Sequence, residues 1–366
     1  MNIIFSGKDL YNSFNLVTGI VPSSTIKNVL RGVKVEVGNT CIKLTATDLE
    51  VLVKCFVPAK ECVGDGSIVL PAIRVNNILR EWAKHDEVIM SVEDSSCMLK
   101  SRGGHFKIAG EDSVQFPDVT VTETNEFVEV DGAIIGDMIG KVVHSVSTVK
   151  TRSVLSGVFV RIFGDDIIMV AADGNRMSCI KRKVHNPAGV VMDGVVSVKC
   201  LLFMQRFVSE CKGVLKVGMG ESRICFIGER GGVVSQLIEG QYPKYEDIIP
   251  EKNERVVEVN KDDLLSGVRM ASFMTSEGCR VVKFTITSGK LTLTSRAADV
   301  GEAELEIAAS YEGPDFVIHF NPDYVTDVLK VSDGGTIVMM FNDGEGAAVF
   351  KTGYEQMDVI MPIEPK

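Results

Sequence analysis

A threefold internal repeat constrains this chain more than any other feature. A hairpin turn falls at Gly38-Asn39, again at Gly164-Asp165 and again at Ser288-Gly289, with the glycines 126 and then 125 residues apart. Each turn follows an alternating apolar run: Val33, Val35, Val37, then Val158, Val160, Ile162, then Val282, Phe284, Ile286. Period-two alternation predicts a strand with one buried and one wet face. A second strand and a similar word follow each time: Thr45-Ala46-Thr47-Asp48, Val170-Ala171-Ala172-Asp173 and Arg296-Ala297-Ala298-Asp299. Helical spacing repeats too. Leu10, Phe14 and Val17 stand at i, i+4, i+7, as do Ile135, Ile139, Val142 and Leu264, Val268, Ala271. A second helix in each unit is expected around Ile78/Leu79 with Trp82, Leu201/Leu202 with Val208, and Tyr324/Val325 with Val328/Leu329.

The expected unit is helix, strand hairpin, further strands, second helix, further strands: an α+β fold in three copies. Polar Asp118–Glu126 and charged Pro250–Arg255 read as linkers. The boundaries are therefore placed at 1–122, 123–252 and 253–366. A period above ~50 residues is too long for a solenoid, so each copy is a whole domain.

Composition narrows the function. Hydrophobic residues make up 45% and charged residues 24% of the chain, which excludes wholesale disorder. The formal net charge is −10, which argues against holding nucleic acid by bulk positive charge. Apolar runs such as Ile167–Ala172 are too short to span a bilayer, and Met1–Asp9 has no export pattern, so a cytoplasmic protein is expected. The nine cysteines show no paired two-residue gap, which leaves packing in a reducing compartment as their expected role. No phosphate-binding loop or His-Glu-x-x-His is present, and Asp48 with Glu50 reads as a solvated pair rather than a metal site.

Like domains joined end to end form a ring if their rotation closes. Lys100, Arg102 and Lys107 lie on or beside one late strand of unit one. Glu302, Glu304 and Glu306 share one face of a strand in unit three. Opposite charges on two edge strands favour head-to-tail pairing between chains; a solvated edge that only prevents aggregation is the other reading.

Four words now make a family visible: Leu44-Thr45-Ala46-Thr47-Asp48-Leu49-Glu50, Ala172-Asp173-Gly174-Asn175-Arg176, Leu237 through Tyr245 (LIEGQYPKY), and Val359-Ile360-Met361-Pro362. In this order and spacing the chain resembles the bacterial DNA polymerase III beta subunits, the sliding clamps, over essentially its whole length. The resemblance implies a head-to-tail homodimeric ring of six domains, helices inside and antiparallel sheets outside. Such a ring encloses duplex DNA without sequence specificity and tethers replicative and other DNA polymerases. It is loaded by an external ATP-driven motor, with no cofactor, metal or catalytic residue of its own and no membrane attachment.

Site residues are implied one by one. Arg74 and Lys199 begin second helices whose basic residues face the duplex; Lys27 and Arg80 are weaker candidates by helix position. The loop Pro22-Ser23-Ser24-Thr25 departs from the family, because Ser24 stands where a basic residue is common. Phe106 corresponds to an interface aromatic, and Phe273 and Met274 to its apolar partners. A peptide groove is implied at Leu155, Ala172, Gly174, Asn175, Arg176, Met177, Pro243, Ile248, Asn321, Tyr324, Ile360, Met361, Pro362 and Ile363, with Arg152 and Arg176 as donors to a bound peptide. Asp247 replaces a common arginine, and the tail Ile363-Glu364-Pro365-Lys366 also departs, which shifts the expected charge preference of partner peptides. Read without the resemblance, a Met/Ile/Pro tail is the last strand of a core.

One enzyme reading competes. Lys351-Thr352-Gly353, Ser332-Asp333-Gly334 and the Ser-x-x-Lys spacings at Ser24, Ser147, Ser178 and Ser209 echo serine β-lactamases. The middle word lacks its asparagine, and such spacings arise readily by chance, so the echo is poor.

Overall fold

The computed structural model describes residues 2–38, 40–93, 95–118, 124–149, 153–250, 254–276, 280–342 and 346–364. Asn39, Lys150, Arg152, Cys279, Pro365 and Lys366 lie outside the described residues, as do parts of both linkers.

The first copy runs β1 (Asn2–Phe5), α1 (Gly7–Thr18), β2 (Gly32–Val37), β3 (Cys41–Thr47), β4 (Val51–Pro58), β5 (Glu61–Val63), β6 (Gly66–Pro71), α2 (Ala72–Trp82), β7 (Val88–Glu93), β8 (Ser96–Ser101) and β9 (Gly104–Ala109). The second runs β10 (Val128–Asp131), α3 (Gly132–Val142), β11 (Gly157–Phe163), β12 (Asp166–Ala172), β13 (Arg176–Lys183), β14 (Met192–Ser197), α4 (Val198–Glu210), β15 (Val214–Met219), β16 (Arg223–Gly228) and β17 (Gly231–Ile238). The third runs β18 (Arg255–Asn260), α5 (Lys261–Ser272), β19 (Val282–Thr287), β20 (Lys290–Ala297), β21 (Gly301–Ser310), β22 (Phe316–Phe320), α6 (Pro322–Val331), β23 (Thr336–Phe341), β24 (Ala348–Gly353) and β25 (Gln356–Ile360). Except for the short β5, the three copies have the same order of elements.

Local chemistry sets the helix ends. Ser6 accepts from the Asp9 N–H to cap α1, Asn260 from Asp262 and Asp263 to cap α5, and Asn321 from Asp323 to cap α6. The expected apolar faces are buried: Leu10, Phe14 and Val17 on α1, Ile135, Ile139 and Val142 on α3, Leu264, Val268 and Ala271 on α5. Each Leu, Ile, Val or Phe among them contributes roughly 1.5–3 kcal/mol by leaving water. Leu202 departs from expectation. It is 47% exposed, because the buried stripe of α4 is Cys200, Met204, Phe207 and Cys211 at i, i+4, i+7, i+11.

By packing, the described chain gathers into two compact units. The first comprises Met1–Gly136, Val184–Val190 and Lys199–Leu237; the second comprises Asp137–Lys183, Val191–Val198 and Ile238–Lys366. Within the first unit, an antiparallel sheet runs β10-β15-β16-β17-β4-β3-β2-β6. Within the second, the corresponding sheet runs β18-β23-β24-β25-β13-β12-β11-β14. Each is built from two copies: the last hairpin of one copy extends a hairpin of the copy before it. Gly231 is placed at such a seam, at φ 141°, where a Cβ would drive into the Lys54 carbonyl.

Two half-sheets have no such continuation among the described residues. The first unit also holds β5-β1-β7-β8-β9, which ends at β9. The second unit holds β22-β19-β20-β21, along whose β21 only Ala309 and Ser310 are paired outward, with β18. Among the described residues, no helix is long and apolar enough to cross a membrane.

Candidate functional site

The basic candidates differ in their surroundings. Arg74 is exposed on α2, and with Arg31, Ile73 and Asn77 it lines a cleft of about 560 Å³. Arg80 is exposed one and a half turns further along the same helix. Lys27 is not helical. It precedes the short 3-10 turn Asn28–Arg31, and its N–H donates to the Thr25 hydroxyl. Ser24 is exposed in the preceding loop. Lys199 is exposed at the start of α4, but it is ion-paired with the Asp48 carboxylate. Asp48 also accepts the Glu50 and Val51 N–H groups, 3.0 and 2.8 Å away. With its oxygens so engaged, Asp48 is a turn and junction residue rather than a metal ligand, and its link to Lys199 could not be read from spacing.

The second unit assembles the groove candidates around the turn between β12 and β13. Gly174 and Asn175 are exposed at its tip, and Gly174 has φ 97°. Asn175 accepts from the Met361 N–H at 2.8 Å, and the Ile363 N–H reaches the His319 carbonyl at 2.9 Å, so the tail is bound back onto the fold. Met361 is 40% exposed; Pro362 and Ile363 are half-buried. Tyr324 stacks under Arg176, 4.6 Å from guanidinium carbon to ring centre. Asn321 caps the helix that carries Tyr324.

Several groove candidates are buried. Ala172, Met177 and Ile360 are at most 6% exposed. Ala172 and Met177 pack with Tyr242, Tyr245 and Val359, and half-buried Leu155 rests against them. Pro243 and Asp247 border a cleft of about 400 Å³ with Phe159, Arg161 and Tyr242. Ile248 is 39% exposed in the adjoining 3-10 turn. Arg152 lies outside the described residues.

Arg176 is heavily committed within the chain. It donates from Nε to Asp173 at 3.1 Å, from Nη1 to Asp327 at 3.0 Å and from Nη2 to the His144 carbonyl at 2.6 Å. This arginine is a strut that ties the β12–β13 turn to α6 and to the His144 carbonyl, and these contacts use three of its five N–H bonds. Burial alone would raise Asp327, but hydrogen bonds from Arg176 and Lys330 hold it below the usual carboxylate range. Burial and then the Arg176 charge push His144 down to about 4, so it is neutral near pH 7.

The β-lactamase echo dissolves here. Ser332 donates to the Thr352 carbonyl at 2.8 Å, and Thr352 donates to Asp358 at 2.8 Å. Ser178 bonds to Ser145 and His144, while Lys181 turns away to Asp166. These groups tie strands together, and Lys261 meets Ser332 only through the serine's backbone carbonyl, at 2.9 Å.

The interface candidates sit on the two unextended edges. Lys100 is on β8, Arg102 in the turn and Lys107 on β9, all exposed, so they straddle a hairpin. Phe106 is 45% exposed and rests on Trp82, ring centres 5.3 Å apart. Glu302, Glu304 and Glu306 are exposed along β21, alternating with Ala303, Leu305 and Ile307. Glu306 pairs with Lys290 at 2.7 Å and Glu302 approaches Arg296 at 4.0 Å, exposed contacts of little energetic weight. Phe273 ends α5 at 71% exposure, and Met274 lies against Gly301 at the start of β21.

Three family models match the chain in tandem: the N-terminal, central and C-terminal domains of the DNA polymerase III beta subunit, over residues 1–120, 129–244 and 246–364. The chain belongs to the DNA polymerase III beta subunit family. Among curated relatives, the beta sliding clamp of Chlamydia muridarum is 25% identical over 99% of both chains. That of Bacillus subtilis is 24% identical over 97% of both. Among solved structures, the beta subunit of Thermotoga maritima superposes with a TM-score of 0.93 at 24% identity, covering 100% of both chains. The Bartonella birtlesii sliding clamp, solved bound to griselimycin, superposes with a TM-score of 0.90 at 26% identity and the same coverage. The family is that of the DNA sliding clamps, and it agrees with the three-copy α+β architecture described above.

Proposed function

We propose that two copies of this chain pair head to tail, β21 of one against β9 of the other, and close a ring around duplex DNA. One observation carries this reading: the same seam is built twice inside the chain, and its two halves are left apart at the chain's ends. At the first seam Val51, Val53 and Cys55 stand opposite Ser235, Val233 and Gly231. At the second, Arg176, Ser178 and Ile180 stand opposite Ile360, Asp358 and Gln356. Every position is displaced by 125 residues, so the register is the same.

The β8–β9 turn pairs Ser101 with Gly104 as the β16–β17 turn pairs Gly228 with Gly231, an offset of 127, so the seam register carried to the free edges sets Gly301, Ala303 and Leu305 opposite Ile108, Phe106 and Gly104 of the partner copy. On the outward face, Glu302 then meets Lys107 and Glu304 meets His105. Charge and apolar matching follow from a register derived without reference to side chains. Met274, beside Gly301, and the exposed Phe273 complete an apolar patch against Phe106.

A ring holds DNA by enclosure, so the chain can be acidic overall while Arg74, Arg80, Lys27 and Lys199 supply weak, sequence-independent phosphate contacts. The chain acts as a cytoplasmic, non-catalytic tether. Replicative and other polymerases dock through a short peptide in the groove formed by Gly174, Asn175, Tyr324 and Met361. With no phosphate-binding loop in the sequence, opening the ring onto closed DNA falls to a separate ATP-driven loader. Sedimentation equilibrium tests closure: a dimer supports it and a concentration-independent monomer overturns it. Retention on nicked circular DNA and loss on linearised DNA tests enclosure.

A further inference from the structure

We propose that Arg31 is a further DNA-contacting residue, which with Arg74 forms a cleft that holds the phosphate backbone of the duplex. This inference rests on the reading of the chain as a clamp on duplex DNA. The cleft lies in the first unit, where the 3-10 turn Asn28–Arg31 meets the first turn of α2. Gly32 pairs with Pro71 across the ends of β2 and β6, so Arg31 and Ala72 leave that pairing side by side. Val29 and Leu30 are buried with Val69 and Phe116, which fixes the turn on the core. Gly32 permits the close approach: a Cβ there would drive into the Val69 side chain.

Spacing then aims the polar side chains. Residues at i and i+3 eclipse in a 3-10 turn, so Asn28 and Arg31 leave it on the same side. Arg74 and Asn77 stand at i and i+3 on α2 and share one of its faces. Each element thus offers one guanidinium and one amide. Arg31, Pro71 and Arg74 line two adjoining clefts. One, of about 560 Å³, is also bordered by Asn77; the other, of about 400 Å³, is bordered by Asn28.

The charge of this pair is left uncompensated. Among the described residues, neither guanidinium is in an ion pair or a hydrogen bond, whereas Lys199 is paired with Asp48. Two cations held over one cleft repel unless an anion lies between them. A phosphodiester suits the donors: guanidinium forks match its oxygens, and the asparagine amides donate N–H groups. The duplex supplies it, because Arg74 stands among the residues that a closed ring turns toward DNA. Such a contact carries no base information. One acid, Glu111, borders the smaller cleft. Its carboxylate opposes the phosphate and keeps the contact weak, which suits a ring that must slide.

Fluorescence anisotropy of a labelled duplex across a salt series, with the full chain, tests this. Arg31→Gln should lower the slope of log affinity against log salt by about one, as should Arg74→Gln. Arg31→Lys should keep the slope and lose affinity, since the charge remains and the fork does not. Glu111→Gln should act in the opposite sense and tighten binding. Arg31 and Glu111 are both exposed, so these changes spare the fold. A slope unchanged in Arg31→Gln, or lowered equally in Arg31→Lys, overturns the proposal, and so does a Glu111→Gln chain that binds no tighter. A parent chain that binds no duplex overturns the clamp reading as well. A parent retained on nicked circular DNA, with an unchanged slope in Arg31→Gln, removes only the arginine cleft.

Discussion

Lys199 is ion-paired with Asp48, a residue 151 positions away in sequence that also holds two turn N–H groups. Burial lowers the Lys199 ammonium from its ordinary value. In the proposed ring, the pair neutralises a cation that would otherwise add to the charge offered to the duplex. Asp48→Asn keeps an oxygen for the Glu50 and Val51 N–H groups and removes the negative charge. It should therefore steepen the salt dependence of duplex binding by about one charge equivalent. Fluorescence anisotropy across a salt series checks this; an unchanged slope rejects Lys199 as a phosphate contact.

The seam register makes a charge prediction. Lys107→Glu should weaken self-association, and Glu302→Lys added to it should restore a coupling of about 0.5–1 kcal/mol. Glu304→Lys added instead should restore less, because Glu304 faces His105 in this register. Dimer constants from analytical ultracentrifugation of the four variants decide the matter.

Phe273→Ala with Met274→Ala should raise the dimer dissociation constant about tenfold or more, since exposed apolar anchors dominate interface energetics. The folded monomer should be intact by circular dichroism, because Phe273 is 71% exposed in the chain. An unchanged dimer constant would remove both residues from the interface.

Ending the chain before Met361 deletes the backbone bonds to Asn175 and His319 and strips one wall from the groove. Affinity for polymerase-derived peptides should fall by at least an order of magnitude, about 1.4 kcal/mol, while the dimer persists. Isothermal titration with wild-type and shortened chains is the measurement. Equal affinities would show that the peptide docks elsewhere.

Asp358 gives stability a pH signature. It is fully buried, and burial raises its carboxyl to about 6 against hydrogen bonds from Ser178, Thr352 and Gln356. Its folded value exceeds its unfolded one, so its contribution is complete below about pH 4 and is lost as pH rises through 6. Asp358→Asn removes that loss. Between pH 4 and 7 the wild type should fall relative to the variant by about 2 kcal/mol, read from urea midpoints. Parallel curves would mean the carboxyl is ionised at no cost.

Much of the architecture was legible before folding. The hairpin turns at Gly38, Gly164 and Gly289 and the helix faces of Leu10, Ile135 and Leu264 depend on local periodicity, which sequence carries directly. Leu202 was misassigned because adjacent leucines leave the direction of a helix stripe undecided until a neighbour packs on it. Ala172, Met177 and Ile360 are buried by elements from elsewhere in the chain, and no spacing rule reports that. Lys27 was read as helical because the turn Asn28–Arg31 is too short to show a period. The contacts of Arg176 with the His144 carbonyl and Asp327 come from elsewhere in the chain and carry no signal in local spacing.

Triplication, the order of elements and the acidic balance thus follow from residue order alone, since each rests on contacts between near neighbours in sequence. The seams, the Asp48–Lys199 pair and the Arg176–Asp327 bond do not. They join positions more than a hundred residues apart, and only the packing of one copy against the next determines which of many compatible partners a side chain meets.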